Sequence, residues 1–107
     1  MLSVRGFKDQ LKKGIPTEVR GDAWESILGN EVRISDKLYD ALLERVRLCE
    51  ENLESEVQFK KNIKVIENDL HRTYSDLGLF RYGEKLYQPL KNVLAAYSVF
   101  RIDLGYV

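Results

Sequence analysis

Cysteine, histidine and proline are scarce in this chain of 107 residues, which has one cysteine, one histidine and two prolines. A lone cysteine cannot form a disulfide within the chain, and one cysteine with one histidine cannot supply the four ligands of a structural zinc site. The longest uninterrupted apolar run, residues 93–97, has five residues, whereas a membrane-spanning helix needs roughly 18 or more. Neither a membrane span nor a signal peptide is predicted, and a reducing, cytoplasmic compartment fits best.

An excess of charge of either sign is also missing, since 17 Lys and Arg balance 17 Asp and Glu. Without a positive field, association with the phosphates of nucleic acid is not expected. Glycine-rich phosphate loops, GxSxG, HExxH and paired CxxC motifs are absent as well, so the sequence predicts no metal site and no bound cofactor. His71 has no nucleophile marked beside it, which favours a surface or capping role over catalysis as a general base.

The chain does contain helix-forming sequence, rich in Leu, Glu, Lys and Arg and interrupted by few glycines. We therefore predict an all-α fold of about five helices. Residues 53–58 are predicted to separate the third helix from the fourth, and residues 74–85, with two glycines and several aromatics, to form an irregular connection. The first helix is predicted at about residues 7–13, the second at 16–29, the third after an N-cap at Ser35, the fourth through Phe59 and Leu70, and the fifth at about 89–100.

The spacing of apolar residues predicts which side of each helix faces the core. In the third helix a coiled coil is the alternative, but Arg45 on the seam favours a core helix, with Cys49 as a small core residue. In the fourth helix the apolar stripe leaves Asp69 and Arg72 at the edge of the core. The predicted inward residues are Val19, Ala23, Trp24, Ile27 and Leu28 in the second helix, Leu38, Ala41, Leu42, Val46, Cys49 and Leu53 in the third, Phe59, Ile63, Ile66 and Leu70 in the fourth, and Leu90, Val93, Leu94 and Tyr97 in the fifth.

Three segments match the motifs of one protein family in order and spacing. Residues 14–24 are GIPTEVRGDAW, which fits a GIPxxxRxxxW pattern, and residues 66–73 are IENDLHRT, which fits IxxDxxRT at every fixed position. Residues 96–107 are AYSVFRIDLGYV, which is similar to the stretch leading into a YxQG motif. Together they resemble the TBC domain, the helical module of proteins that activate GTP hydrolysis by Rab GTPases.

The resemblance covers almost every residue from Gly14 onward. It implies that residues 1–107 are the N-terminal half of a TBC domain, with residues 1–13 as a lead-in helix. The chain stops at Tyr106-Val107, one residue before the position where the family places its glutamine finger. The resemblance therefore implies a fragment that lacks this second catalytic group.

The resemblance also assigns roles in the second motif. Arg72 is implied to be an arginine finger, with Asp69 holding its guanidinium in place. Without the resemblance, Arg72 would be interpreted as an exposed arginine at a helix end and Asp69 as a solubilising carboxylate. Ile66 is core in either interpretation, Thr73 either bonds a helix carbonyl or supports Arg72, and Tyr106 is implied to help place the absent glutamine.

Arg20 and Trp24 carry the first motif. Their (i, i+4) spacing allows the guanidinium to lie against the indole face. We interpret the pair as structural, with Trp24 a buried anchor between helices, and direct contact with a partner is the alternative.

As a whole, the resemblance implies an activator of a Rab-family GTPase rather than an enzyme with its own substrate. GTP and Mg²⁺ would be bound by that partner, and the setting would be vesicle trafficking in the cytoplasm, peripheral at organelle membranes through the parent protein. A non-catalytic helical interaction module is the alternative function. We also expect self-association, because helices that normally pack against a second half leave apolar surface uncovered.

Overall fold

A computed structural model describes residues 4–106, with Val4 described in its backbone only. These residues form five α-helices and no strand, which confirms the predicted all-α fold. They divide into two compact units, Met1–Ile34 with the first two helices and Ser35–Val107 with the other three. No helix among residues 4–106 combines the length and apolarity needed to cross a membrane. The helices are α1 (Val4–Lys13), α2 (Thr17–Leu28), α3 (Asp36–Glu51), α4 (Val57–Arg72) and α5 (Tyr87–Phe100).

In the first unit, α2 lies where the sequence predicts but is not buried. Pro16 precedes its first turn, and Gly29 ends it at φ +67°, donating its backbone N–H to the carbonyl of Glu25 at 3.0 Å. The prediction of an inward face is wrong, because no residue of α2 is buried and Val19, Trp24, Ile27 and Leu28 are exposed. At 100° per residue these apolar residues and Ala23 spread over roughly half the helix circumference, so no single narrow stripe results.

In the second unit, α3 begins as predicted, since the Ser35 hydroxyl accepts the backbone N–H of Leu38 at 3.1 Å. Val46 and Cys49 are buried and pack with Phe59 of α4 and Ala95 of α5, which confirms a core helix over the coiled-coil alternative. Burial also raises the pKa of the Cys49 thiol. Two residues of the predicted stripe, Ala41 and Leu53, are exposed instead, and Leu38 and Leu42 are half-buried.

The apolar stripe of α4 is confirmed. Phe59, Ile66 and Leu70 are buried and Ile63 is half-buried. Burial of Asn62 on the same side was not predicted, because an amide breaks the apolar pattern. The α4 helix thus presents one continuous face to the core from its first turn to its last.

The α5 helix packs against both α3 and α4, and this corrects its predicted inward face. Its buried residues are Tyr87, Ala95, Ala96 and Ser98, whereas Val93 and Tyr97 are exposed and Leu90 and Leu94 are half-buried. Small side chains let a helix approach two neighbours closely. The face with alanine and serine therefore turns inward, and of the predicted residues Leu90 and Leu94 pack against the core while Val93 and Tyr97 stay outside.

A second core cluster lies beneath the C-terminal end of α4. Ile66, Leu70 and Tyr87 form its buried part, and Phe80 and Tyr106 pack against it. Phe80 belongs to the irregular connection between α4 and α5, which the sequence predicts correctly, and Tyr106 follows α5. Two segments distant in sequence are thus brought to the last turn of α4.

Candidate functional site

Arg72 is the last residue of α4, and its side chain is 79% exposed. Its Nε and Nη2 both donate to Oδ1 of Asp69, at 3.0 and 2.6 Å. This contact is the one that the (i, i+3) spacing predicts. The remaining N–H groups of the guanidinium, two on Nη1 and one on Nη2, have no partner among residues 4–106.

The other carboxylate oxygen of Asp69 is bound by Tyr106. The phenol hydroxyl donates to Oδ2 at 2.7 Å, across 37 positions of sequence. The hydroxyl of Tyr106 and, secondarily, the guanidinium of Arg72 hold the pKa of Asp69 below its usual range. Asp69 therefore stays ionised and keeps its charge available to the arginine.

Thr73 closes the helix at the same place. Its hydroxyl donates to the backbone carbonyl of Asp69 at 2.5 Å, and its backbone N–H donates to that of Leu70 at 3.3 Å. Of the two roles that the sequence left open, the structure shows the bond to a helix carbonyl. Because this bond satisfies a carbonyl of the last turn, it stabilises the backbone from which Arg72 projects.

The chemistry of this site is that of a positioned cation. A guanidinium remains charged at every physiological pH, and its planar set of donors can bind two oxygens of one anion. It also lies at the C-terminus of a helix, where the partial negative charge of the last carbonyls favours a cation. The three N–H groups of this exposed arginine that have no partner within the described part of the chain can therefore bind an anionic group of another molecule.

The structure brings together four of the residues that the sequence singles out, namely Asp69, Arg72, Thr73 and Tyr106, with Ile66 fully buried below them. The link from Tyr106 to Asp69 was missed. A separation of 37 residues leaves no local pattern, and only the shared family motifs hinted that the two segments belong to one site. Their functional roles remain predictions.

Arg20 and Trp24 belong to the first unit. Trp24 is 53% exposed, so its prediction as a buried anchor is wrong for this chain. Nη2 of Arg20 donates to the backbone carbonyl of Ile15 at 3.0 Å. The guanidinium of Arg20 is thus held by a carbonyl five residues earlier.

Other kinds of chemistry find little support in residues 4–106. They contain no group of three or more His, Cys, Asp or Glu side chains able to hold a metal ion. His71 is exposed beside Arg72. The arrangement at the end of α4 is therefore the candidate site that the structure carries.

Comparison with known proteins gives a consistent result. The Rab-GTPase-TBC domain family matches residues 17–107. TBC1 domain family member 12 of Xenopus tropicalis is 31% identical over 120 residues and TBC1 domain family member 14 of Homo sapiens 32% over 120 residues, in each case across all of this chain. Rab GTPase-activating protein eat-17 of Caenorhabditis elegans is 33% identical over 100 residues, covering 94% of this chain.

The chain spans 18%, 17% and 10% of the length of these three relatives, respectively. The matched region includes α2 through α5 and every residue of the site at the end of α4, whereas α1 precedes it. The chain belongs to the Rab-GTPase-TBC domain family.

Proposed function

We propose that this chain is part of an activator of GTP hydrolysis by Rab-type small GTPases, and that Arg72 is the arginine it inserts into the partner's active site. The observation that carries the proposal is the exposed guanidinium of Arg72, clamped by Asp69 within the IxxDxxRT motif. The relative eat-17 is named a Rab GTPase-activating protein, which supports the same function.

The physical basis is charge stabilisation. In the transition state of GTP hydrolysis, negative charge spreads over the oxygens of the transferred phosphoryl group, and an arginine supplied in trans accelerates the reaction by about 10³ to 10⁵. GTP and Mg²⁺ belong to the partner in this scheme. Three N–H groups of Arg72 remain available for phosphate oxygens while Asp69 holds the other two.

We expect the chain alone to be inactive as an activator. The family resemblance implies that a glutamine shortly after Tyr106 orients the attacking water. The glutamines of this chain are Gln10, Gln58 and Gln88, none of which occupies that position. Arg72 without that glutamine supplies one of two catalytic contributions.

The proposed cellular location depends on where the partner GTPase acts. Rab-type GTPases act at the cytoplasmic face of organelle membranes, so we propose a cytoplasmic role in vesicle trafficking, with membrane attachment through other parts of the protein or through the GTPase.

The test is single-turnover GTP hydrolysis on a panel of purified, GTP-loaded Rab GTPases. The chain is assayed alone and joined to the residues that follow the matched stretch in human TBC1 domain family member 14. Arg72→Ala and Arg72→Lys are compared with Arg5→Ala, which removes an exposed arginine of α1. We expect the joined chain to accelerate hydrolysis and both Arg72 variants to lose about 10³-fold or more of the stimulation.

Two outcomes would contradict the proposal. Full stimulation by the Arg72→Ala chain would remove the finger assignment. Binding to GTP-loaded GTPases without any change in hydrolysis, unaffected by Arg72→Ala, would favour the non-catalytic interaction module instead.

A further inference from the structure

The segment after α5, residues 101–106, contacts α4 at two points. One is Asn62 and the other is Asp69, seven residues further along the helix, which corresponds to about 10 Å of helix axis. Between these points the ring of Tyr106 packs against the cluster of Ile66 and Leu70. The side chain of Tyr106 therefore extends along α4 from the position next to Gly105 and ends at the carboxylate that holds Arg72.

The first contact holds the backbone of Gly105 against α4. Gly105 is buried, has φ +62°, and lies so that a Cβ there would be 3.4 Å from the amide of Asn62. That amide is itself 6% exposed, and its oxygen accepts a hydrogen bond from Nε2 of Gln58 at 3.1 Å. A glycine in a left-handed conformation against a held amide leaves few alternative positions for the next residue.

The turn that leads to Gly105 is also closed by hydrogen bonds. The backbone N–H of Gly105 donates to the carbonyl of Arg101 at 2.8 Å. The guanidinium of Arg101 binds both carboxylate oxygens of Asp103, each at 3.0 Å. The backbone that leads to Tyr106 is thus held in place by the hydrogen bonds of this turn.

The second contact shares the carboxylate of Asp69 with Arg72. An arginine and a carboxylate commonly form a fork, with two N–H groups on two oxygens. Here the hydroxyl of Tyr106 occupies Oδ2, and both donors of Arg72 go to Oδ1. The bond from Tyr106 adds a constraint on the plane of the carboxylate to those that the arginine supplies.

We propose that Tyr106 is a positioning residue that acts on Arg72 through Asp69. By holding the carboxylate through Oδ2, it favours the pairing of both Arg72 donors with Oδ1 and so sets the direction in which the outer N–H groups of Arg72 point. The proposal rests on the function proposed above for Arg72, and it assigns to Tyr106 an effect on the arginine that is separate from any effect on a glutamine.

The direct test is NMR of the 107-residue chain with ¹⁵N-labelled arginine. Tyr106→Phe removes only the hydroxyl and keeps the ring in the core cluster. Tyr82→Phe is the matched control, because Tyr82 is an exposed tyrosine whose hydroxyl has no partner among the residues described. We expect Tyr106→Phe to shift the Nε–H resonance of Arg72 and to raise the pKa of Asp69, and Tyr82→Phe to change neither.

A background variant identifies the route of the effect. If Tyr106 acts through Asp69, then in an Asp69→Asn chain the further change Tyr106→Phe leaves the Arg72 resonance where Asp69→Asn has placed it. An Arg72 resonance that is the same in the wild-type and Tyr106→Phe chains would overturn the proposal. So would a shift of equal size with and without the Asp69 carboxylate.

Hydrolysis gives the functional measure in the joined chain described above. We expect Tyr106→Phe to lower the maximal single-turnover rate by roughly 10-fold, because a charge-assisted hydrogen bond to the positioning group is lost, while the activator concentration for half-maximal rate is unchanged. A merely structural role would instead raise that concentration or lower the melting temperature. Failure of the function proposed for Arg72 is recognised separately, since then Arg72→Ala leaves hydrolysis unaltered while the NMR coupling persists.

Discussion

The carboxylate of Asp69 connects the two segments of the site. One oxygen accepts both donors of Arg72, the other accepts the hydroxyl of Tyr106, and the backbone carbonyl of the same residue accepts the hydroxyl of Thr73. Each neighbour constrains a different part of Asp69. A single substitution here is therefore expected to alter the end of α4, the following turn and the segment after α5 together.

At this scale we predict a pH effect. Since the pKa of Asp69 is lowered in the folded chain, chiefly by the Tyr106 hydroxyl and then by Arg72, its contribution to stability is fully present above the ordinary Asp pKa of about 4 and is lost as pH falls through the lowered value. We expect the difference in the free energy of unfolding between the wild-type and Asp69→Asn chains to be constant near neutral pH and to shrink below that range. Urea unfolding at a series of pH values from about 7 to 3 measures it.

The control for this prediction is Asp76→Asn, since the Asp76 carboxylate has no partner among the residues described. The difference in the free energy of unfolding between the wild-type and Asp76→Asn chains should not shrink as the pH falls. If the difference in the free energy of unfolding between the wild-type and Asp69→Asn chains were as large at the lowest pH as at neutral pH, the hydrogen bonds assigned to Asp69 would be contradicted.

At the scale of elements, α4 carries both the core and the site. Ile66 and Leu70 are buried on one side, and Asp69 and Arg72 follow at the edge of the same face. The orientation of the site therefore depends on how firmly the apolar stripe is held against Tyr87 and the half-buried Leu90. Loosening the stripe is expected to cost stability first and site geometry with it.

This dependence predicts the effect of a neighbouring pair of substitutions. Ile66→Ala removes a fully buried side chain and should lower the free energy of unfolding by about 2–5 kcal/mol. Val65→Ala, one residue earlier on the exposed side, should cost less than about 1 kcal/mol. Urea unfolding of the two variants compares them directly, and equal losses would mean that α4 does not face the core as described.

At the scale of the whole molecule, many large apolar side chains are exposed. On α5 they include Val93, Tyr97 and Phe100, which share one side of the helix at spacings of four and three. The sequence predicts Val93 and Tyr97 as inward residues, and the structure places both outside. Uncovered apolar surface of this kind favours association with another protein or a second copy.

We therefore expect the isolated chain to associate with itself at high concentration. Sedimentation velocity across a range of concentrations measures this, and Val93→Lys combined with Tyr97→Lys should shift the chain toward monomer. Gln88→Lys adds charge on the opposite side of α5 and should have little effect. A well-behaved monomer with a cooperative melt at every concentration would contradict the prediction.

Much of the fold was predictable from local sequence. Three features were predicted correctly: the Ser35 cap, the end of α2 at Gly29 and the α4 stripe. Each depends on hydrogen bonds or side-chain spacing within four residues, so it can be predicted from neighbouring positions of the sequence. The IxxDxxRT motif likewise placed Asp69 and Arg72 in contact, because (i, i+3) neighbours meet on any helix.

Sequence by itself determined the class of fold, the approximate positions of the five helices, the family and the residues of the candidate site. Only the tertiary structure decided that alanines rather than valine and tyrosine face inward on α5, that Trp24 is exposed, and that Tyr106 binds Asp69. The physical reason is that backbone hydrogen bonding and helix periodicity are local, whereas burial depends on which surfaces meet. A contact across 37 residues exists only once α4 and α5 have packed together.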